Sequence, residues 1–161
     1  MAVTEHSMIL FPLRILQFLF ALIVAGTIGY GVHWYNQGAS NSPASMNFLL
    51  FNCAWTFLII LYAILGPIFL SSLADTTHAY AIFAIDVVTM IFWFAGFIAL
   101  AVFLGDLDFC IGTVCPDLRA GCVFAAFEWV LFVVSSVISG IRAFRARGAA
   151  APKPATQLNT L

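Results

Sequence analysis

The stretch IFAIDVVTMIFWFAGFIALA, Ile82 to Ala101, decides the fold. Its one charged residue is Asp86, and as a helix rising ~1.5 Å per residue the stretch is long enough to cross a hydrocarbon core of roughly 30 Å. A charged group in the middle of such a helix costs about 2.5–3.5 kcal/mol. The fold must therefore be compatible with a bilayer, and it must contain a group that stabilises Asp86 inside the membrane.

The composition of the whole chain indicates a membrane environment. Of 161 residues, 63% are hydrophobic and 8% are charged, and the mean hydropathy is +1.07. Ordinary soluble domains have roughly 45–50% apolar and about 25% charged residues. The net charge of −1 leaves no basic surface for nucleic acid. We predict an integral membrane protein with no nucleic-acid partner.

Four apolar blocks predict an all-α, antiparallel bundle of four transmembrane helices. The blocks cover about 11–32, 48–70, 79–104 and 121–141. The first lacks a small-residue cleavage site and is expected to be retained rather than removed as a signal peptide. Residues 11–147 form the predicted membrane domain, between a cytoplasmic segment at 1–10 and a tail at 148–161 that is too poor in apolar residues to pack.

The basic residues predict the orientation. Most of them lie beside the first helix or after the last one: Arg14, Arg142, Arg145, Arg147 and Lys153. Only Arg119 lies in a loop between two helices. Cytoplasmic segments carry the excess of Lys and Arg. A multi-pass protein with both termini in the cytoplasm is therefore expected.

The cysteines predict a disulfide on the opposite side of the membrane. Cys110 and Cys115 lie in the predicted outer loop, where an oxidising compartment preserves disulfides. Two free thiols, or a bridge from Cys122, are the alternatives. Three thiolates without a nearby histidine make an incomplete zinc site. No metal and no cofactor are expected.

Polar and small residues share helix faces, because steps of three and four stay on one side of a helix. Membrane helices associate through such small residues, with polar groups bonded across the contact. The predicted helix-packing residues are Ala21, Ala25, Gly29, Gly96, Gly121, Ser135 and Ser139, and the polar residues inside the membrane are Arg14, Gln17, Asn52, Asp86 and Glu128.

The two intramembrane acids have different predicted partners. The long side chain of Arg14 can reach inward to the depth of Asp86, so we predict an ion pair that Gln17 joins. Glu128 lies nearer the outer side and is expected to bond Asn52, Thr56 or water, or to be protonated. A structural role for the acids is preferred to a transport site, which stays open as the alternative.

Several segments carry a resemblance to a known family. The opening RILQFLFALIVAGTIGYG, the third-helix run DVVTMIFWFAGFIALA, the cysteine pair and the fourth-helix run CVFAAFEWVLFVVSSVISG resemble fungal MARVEL-domain proteins, above all the non-classical export protein group. The likeness covers roughly residues 8–147. It implies a plasma-membrane tetraspan protein that organises lateral microdomains, associates with sterol- and sphingolipid-rich membrane, and influences eisosomes or unconventional secretion.

The function expected is that of a membrane organiser. Its expected partners are membrane lipids (sterol, sphingolipid or phospholipid), further copies of the chain as a homo-oligomer, and cortical or microdomain proteins. The alternative is a small proton-coupled transporter that uses an intramembrane carboxylate. An enzyme is not expected and no catalytic residue is assigned, because the histidines are scattered and no Ser/His/Asp set or Cys/His pair is suggested.

Overall fold

The computed structural model describes residues 2–38, 41–69, 75–106 and 114–150, and these form four helices with no strand among them. The helices are α1 (Ala2–Gln37), α2 (Ala44–Phe69), α3 (Asp75–Gly105) and α4 (Val114–Ala150). Each contains a segment long and apolar enough to cross a membrane. The fold is an all-α, four-span membrane bundle.

The four helices pack in a ring. Each contacts the next along the chain, α1 closes the ring against α4, and the α3–α4 contact is the most extensive. In the first half of α1, Arg14 lies at the level of Ser135 on α4, since both bond the same carboxylate. Toward the other end, Ile28 lies against Gly121. The first and last helices therefore run antiparallel, and α1 begins where α4 ends, at what we call the terminal end of the bundle.

The helices extend beyond the predicted membrane segments, so several predicted boundaries were wrong. The first helix begins at Ala2 and not near residue 11, which places Pro12 inside the helix instead of in its first turn. Proline there removes one backbone hydrogen bond. The fourth helix begins at Val114, with Asp117 in its first turn, where a negative charge favours the helix dipole. Hydropathy locates the apolar part of a helix and misses polar turns that continue it.

The predicted tail at 148–161 also begins too early. The fourth helix continues through residues 148–150 before it ends at Ala150. The other residues of that segment, 151–161, lie outside the described part of the chain.

The interior of the bundle follows alternating steps of three and four residues. On α1 the buried positions include Arg14, Gln17, Ala21, Val24 and Ile28. This spacing averages 3.5 residues and keeps one stripe against the partner helices. The corresponding stripe of α3 is Asp86, Thr89, Trp93, Gly96 and Leu100, and that of α4 is Gly121, Ala125, Glu128, Phe132, Ser135 and Ser139.

Close helix contacts occur at Gly96 and Gly121. A Cβ atom on Gly96 would lie 2.7 Å from Leu49 Cδ2 of α2, and one on Gly121 would lie 2.8 Å from Ile28 Cδ1 of α1. These two glycines allow neighbouring helices to approach. Gly29 does not, because nothing lies within 4 Å of the same position there.

The packing role predicted for Gly29 was therefore wrong. Repeated steps of four residues, from Ala21 through Ala25 to Gly29, rotate gradually away from the face of α1 that contacts the other helices. Ala25 is half-buried and packs against the edge of the core.

Candidate functional site

An ion pair joins α1 to α3 inside the bundle. Arg14 Nη2 donates to both oxygens of Asp86, at 2.7 Å to Oδ1 and 2.9 Å to Oδ2. Asp86 is completely buried, and Arg14 is 8% exposed. The pair expected from depth and helix face is thus present. It neutralises both charges where neither is solvated.

Three further residues complete the surroundings of this pair. Arg14 Nη1 donates to Gln17 Oε1 at 3.0 Å, and Ser135 Oγ donates to Asp86 Oδ2 at 2.7 Å. The guanidinium carbon of Arg14 lies 6.0 Å from the centre of the Phe132 ring, within range of a cation–π contact. Asp86 accepts three hydrogen bonds from described residues, so its carboxylate is well satisfied despite burial.

The bond from Ser135 was not predicted from the sequence. Ser135 was placed on the contact face of α4 as a small packing residue, and its hydroxyl bonds the carboxylate instead of serving only as small bulk. The signal available in the sequence was its seven-residue spacing from Glu128, which puts it on the same polar stripe. Ser139 lies one turn farther and bonds back to the carbonyl of Ser135 at 2.8 Å.

A second set of polar contacts joins α2 to α3. Asn52 Nδ2 donates to the carbonyl of Phe92 at 2.9 Å, and Trp93 Nε1 donates to Thr56 Oγ1 at 3.0 Å. Hydrogen bonds between membrane helices average about 0.6 kcal/mol and reach about 1.7 kcal/mol. The ion pair and these bonds together connect α1, α2, α3 and α4.

Glu128 stands apart from both sets. It is completely buried beside the backbone of Ala21, within electrostatic range of Cys53, and about 10 Å along α4 from Ser135. Among the described residues, neither of its carboxylate oxygens has a hydrogen-bond partner. The expected bonds to Asn52 and Thr56 are absent there: Asn52 Nδ2 donates to the carbonyl of Phe92, and Thr56 Oγ1 accepts from Trp93 Nε1.

Replacing Glu128 with Gln is expected to leave the free energy of unfolding unchanged or to raise it. The amide has nearly the volume of the carboxyl group, and the carboxylate oxygens lose no hydrogen bond to a described residue. Reversible unfolding in mixed detergent micelles measures the effect. A loss of more than ~1 kcal/mol, the usual net value of one hydrogen bond, would show that Glu128 holds a partner.

The cysteines divide into bonded and free. Cys115, in the first turn of α4, is disulfide-bonded. Cys53 and Cys122 are free thiols, and Cys122 approaches the carbonyl of Phe97 at 3.6 Å. The bridge from Cys122 is therefore excluded. Cys110 lies outside the described residues, and its pairing with Cys115 stays a prediction.

The outer surface of the bundle is apolar and aromatic. Large hydrophobic side chains are exposed on all four helices, among them Phe18, Phe51, Phe94 and Phe127. In the most apolar window of each helix only 22–33% of the residues are buried inside the bundle. The buried interior contains polar and apolar side chains, whereas the large side chains exposed on the outer surface are apolar, which is an arrangement suited to a lipid solvent.

Comparison with known families agrees with this arrangement. The family model MARVEL, described as a membrane-associating domain, matches residues 7–138. The chain belongs to the MARVEL family. No curated protein and no solved structure matches it.

MARVEL domains are four-span, membrane-associating domains linked to membrane microdomains, so a multi-pass membrane protein is established for this chain. The matched region of the MARVEL domain contains the whole ion-pair cluster. Arg14, Gln17, Asp86 and Ser135 all lie within it, as does Glu128. The last three turns of α4, residues 139–150 with Arg142 and Arg147, follow the match. The hydrogen bonds of the cluster join α1, α3 and α4, so its chemistry is the joining of helices.

Proposed function

We propose that this MARVEL-domain protein organises lateral microdomains of the plasma membrane. The observation that carries the proposal is the distribution of polarity: the Arg14–Asp86 pair and other polar side chains are buried within the bundle, and most of each helix presents apolar side chains to its surroundings. Such a surface contacts lipid and neighbouring proteins along the full thickness of the bilayer. The family match supports the same role.

Both termini are proposed to be cytoplasmic. Arg14, Arg142 and Arg147 lie toward the terminal end of the bundle, whereas Arg119 lies toward the opposite end. The positive-inside rule favours the end with more basic residues as cytoplasmic. The disulfide of Cys115 lies near the opposite end, in keeping with an oxidising side.

The proposed partners are lipids and further copies of the chain. Exposed aromatic rings and aliphatic side chains favour contact with sterol, sphingolipid or phospholipid, and the same surface can be shared by a homo-oligomer. Association with eisosome-type domains, cortical proteins and unconventional secretion follows from the resemblance to fungal proteins. The comparisons give no support to the alternative of a proton-coupled transporter. We propose no catalytic role.

The decisive experiment is the lateral distribution of a fluorescent fusion in a fungal plasma membrane. We expect discrete, slowly exchanging clusters that disperse when sterol or sphingolipid is depleted. A fluorescent single-span protein at matched expression is the control and should stay uniform. A uniform distribution of the fusion, together with a monomer that retains no lipid on purification, would contradict the proposal.

A further inference from the structure

A groove runs along the lipid-facing side of the contact between α3 and α4. It has a volume of about 400 Å³ and is lined by Phe83 and Met90 of α3 and by Val137, Gly140 and Phe144 of α4, among others. Gly140 forms part of its floor, because a Cβ there would lie 3.0 Å from Phe83 Cε2. The rings of Phe83 and Phe144 contact each other with their centroids 6.4 Å apart, and Gly140 adds no side chain beside them.

The length of the groove and its position along the membrane normal match the hydrocarbon part of one leaflet. Its lining on α4 extends from Val133 to Phe144, about 16 Å at ~1.5 Å per residue. Half of a hydrocarbon core of roughly 30 Å is about 15 Å. Glu128 lies near the middle of α4, so the groove occupies the half of the membrane toward the terminal end. A single extended acyl chain has the shape and polarity of this space.

A positive charge lies beyond the end of the groove that is nearest the terminal end of the bundle. Arg147 is three residues beyond Phe144 and seven beyond Gly140, which places it on the same face of α4. Its side chain is exposed and forms no ion pair within the described parts of the chain. An arginine at this position faces the headgroup region of the same leaflet, where it can pair with a phosphate or carboxylate.

We propose that the α3–α4 groove binds one acyl chain of an anionic phospholipid whose headgroup pairs with Arg147. The inference rests on the proposed function in one respect, the cytoplasmic position of the terminal end, since the cytoplasmic leaflet is the anionic one. A zwitterionic phospholipid also offers a phosphate, but its attached cation offsets the attraction, so the guanidinium favours a headgroup with a net negative charge. The charge of Arg147 therefore determines which headgroup is preferred, and the apolar groove binds the acyl chain.

Photolabelling of the full chain in vesicles tests the site. The vesicles contain phosphatidylcholine and a minor fraction of phosphatidylserine that carries a photoreactive group on one acyl chain. We expect labels on the segments 83–90 and 133–144, at about fivefold the yield of photoreactive phosphatidylcholine, the equivalent of ~1 kcal/mol for one basic residue near an anionic surface. Equal yields from the two lipids would overturn the headgroup assignment.

Two pairs of variants separate the groove from the general lipid surface. Val137→Trp fills the groove and should lower its labelling several-fold, whereas Val134→Trp, on the same helix outside the groove, should not. Arg147→Gln should abolish the preference for phosphatidylserine, whereas Arg119→Gln at the opposite end should preserve it. Unchanged labelling in Val137→Trp would overturn the proposal.

The other possible occupants give different results. A photoreactive sterol that labels the groove and is not displaced by phosphatidylserine would overturn the assignment, as would a disulfide between two copies of Val137→Cys formed in place of lipid labelling. Vesicle labelling needs no clustering in cells. A diffuse fusion with intact labelling would contradict the microdomain function and leave the lipid site standing.

Discussion

Replacing Asp86 with Asn is expected to lower the free energy of unfolding by about 3–5 kcal/mol. The substitution leaves the guanidinium of Arg14 buried without a counter-charge, while Ser135 loses a charged acceptor. Removing one partner of a buried pair costs more than the pair contributes, because the remaining charge is not solvated. Reversible unfolding in mixed detergent micelles, followed by tryptophan fluorescence, measures the loss.

The matched control for Asp86→Asn is the double variant with Arg14→Gln. Removing both charges leaves neutral amides that can bond each other and Gln17, so a large part of the lost stability should return. Glu128→Gln provides a second comparison, since it neutralises an acid that has no ion pair among the described residues. Equal stability of the wild type, Asp86→Asn and the double variant would show that the pair contributes nothing to the fold.

Replacing Gly121 with Val is expected to destabilise the bundle by about 1–3 kcal/mol, the usual cost of overpacking. A Cβ atom at this position would lie 2.7 Å from Thr27 Oγ1 and 2.8 Å from Ile28 Cδ1. Thr27 is held in place by a hydrogen bond of 2.9 Å from its hydroxyl to the carbonyl of Ile23. The two helices must therefore separate to admit the side chain.

Gly29→Val is the matched control for the glycine prediction. It makes the same change on α1, where nothing lies within 4 Å of the new Cβ. A surface substitution of this kind is expected to change stability by less than ~0.5 kcal/mol. If the two variants lost the same stability, the α1–α4 contact would not be the cause, because valine has a higher helix propensity than glycine at both positions.

The sequence predicts the number of spans and the ion pair because each depends on one simple quantity. Hydropathy over about twenty residues identifies a membrane helix. The distances of Arg14 and Asp86 from the ends of their helices predict that both lie at one depth in the membrane. Their positions on the polar faces of the two helices predict that they face each other. Both quantities are properties of a single helix, so they can be read before the helices are assembled.

The remaining details depend on how the helices are rotated against each other. A rotation by one residue position decides that Ile28 rather than Gly29 meets Gly121, and that Ser135 reaches the carboxylate of Asp86. The groove beside Gly140 depends on the shapes of Phe83 and Phe144, which come from different helices. Such features are absent from any single-helix pattern.

The ion pair also has a consequence for biogenesis. Its partners are 72 residues apart in the chain, so at about 5–20 residues per second a ribosome makes Arg14 roughly 4–14 seconds before Asp86. During that interval the guanidinium must stay hydrated at the membrane surface, which its long side chain and its place near the end of the first span permit. We expect the first helix to reach its final depth in the membrane only after the third helix has been inserted. Insertion of Asp86 would then determine when the first helix joins the bundle.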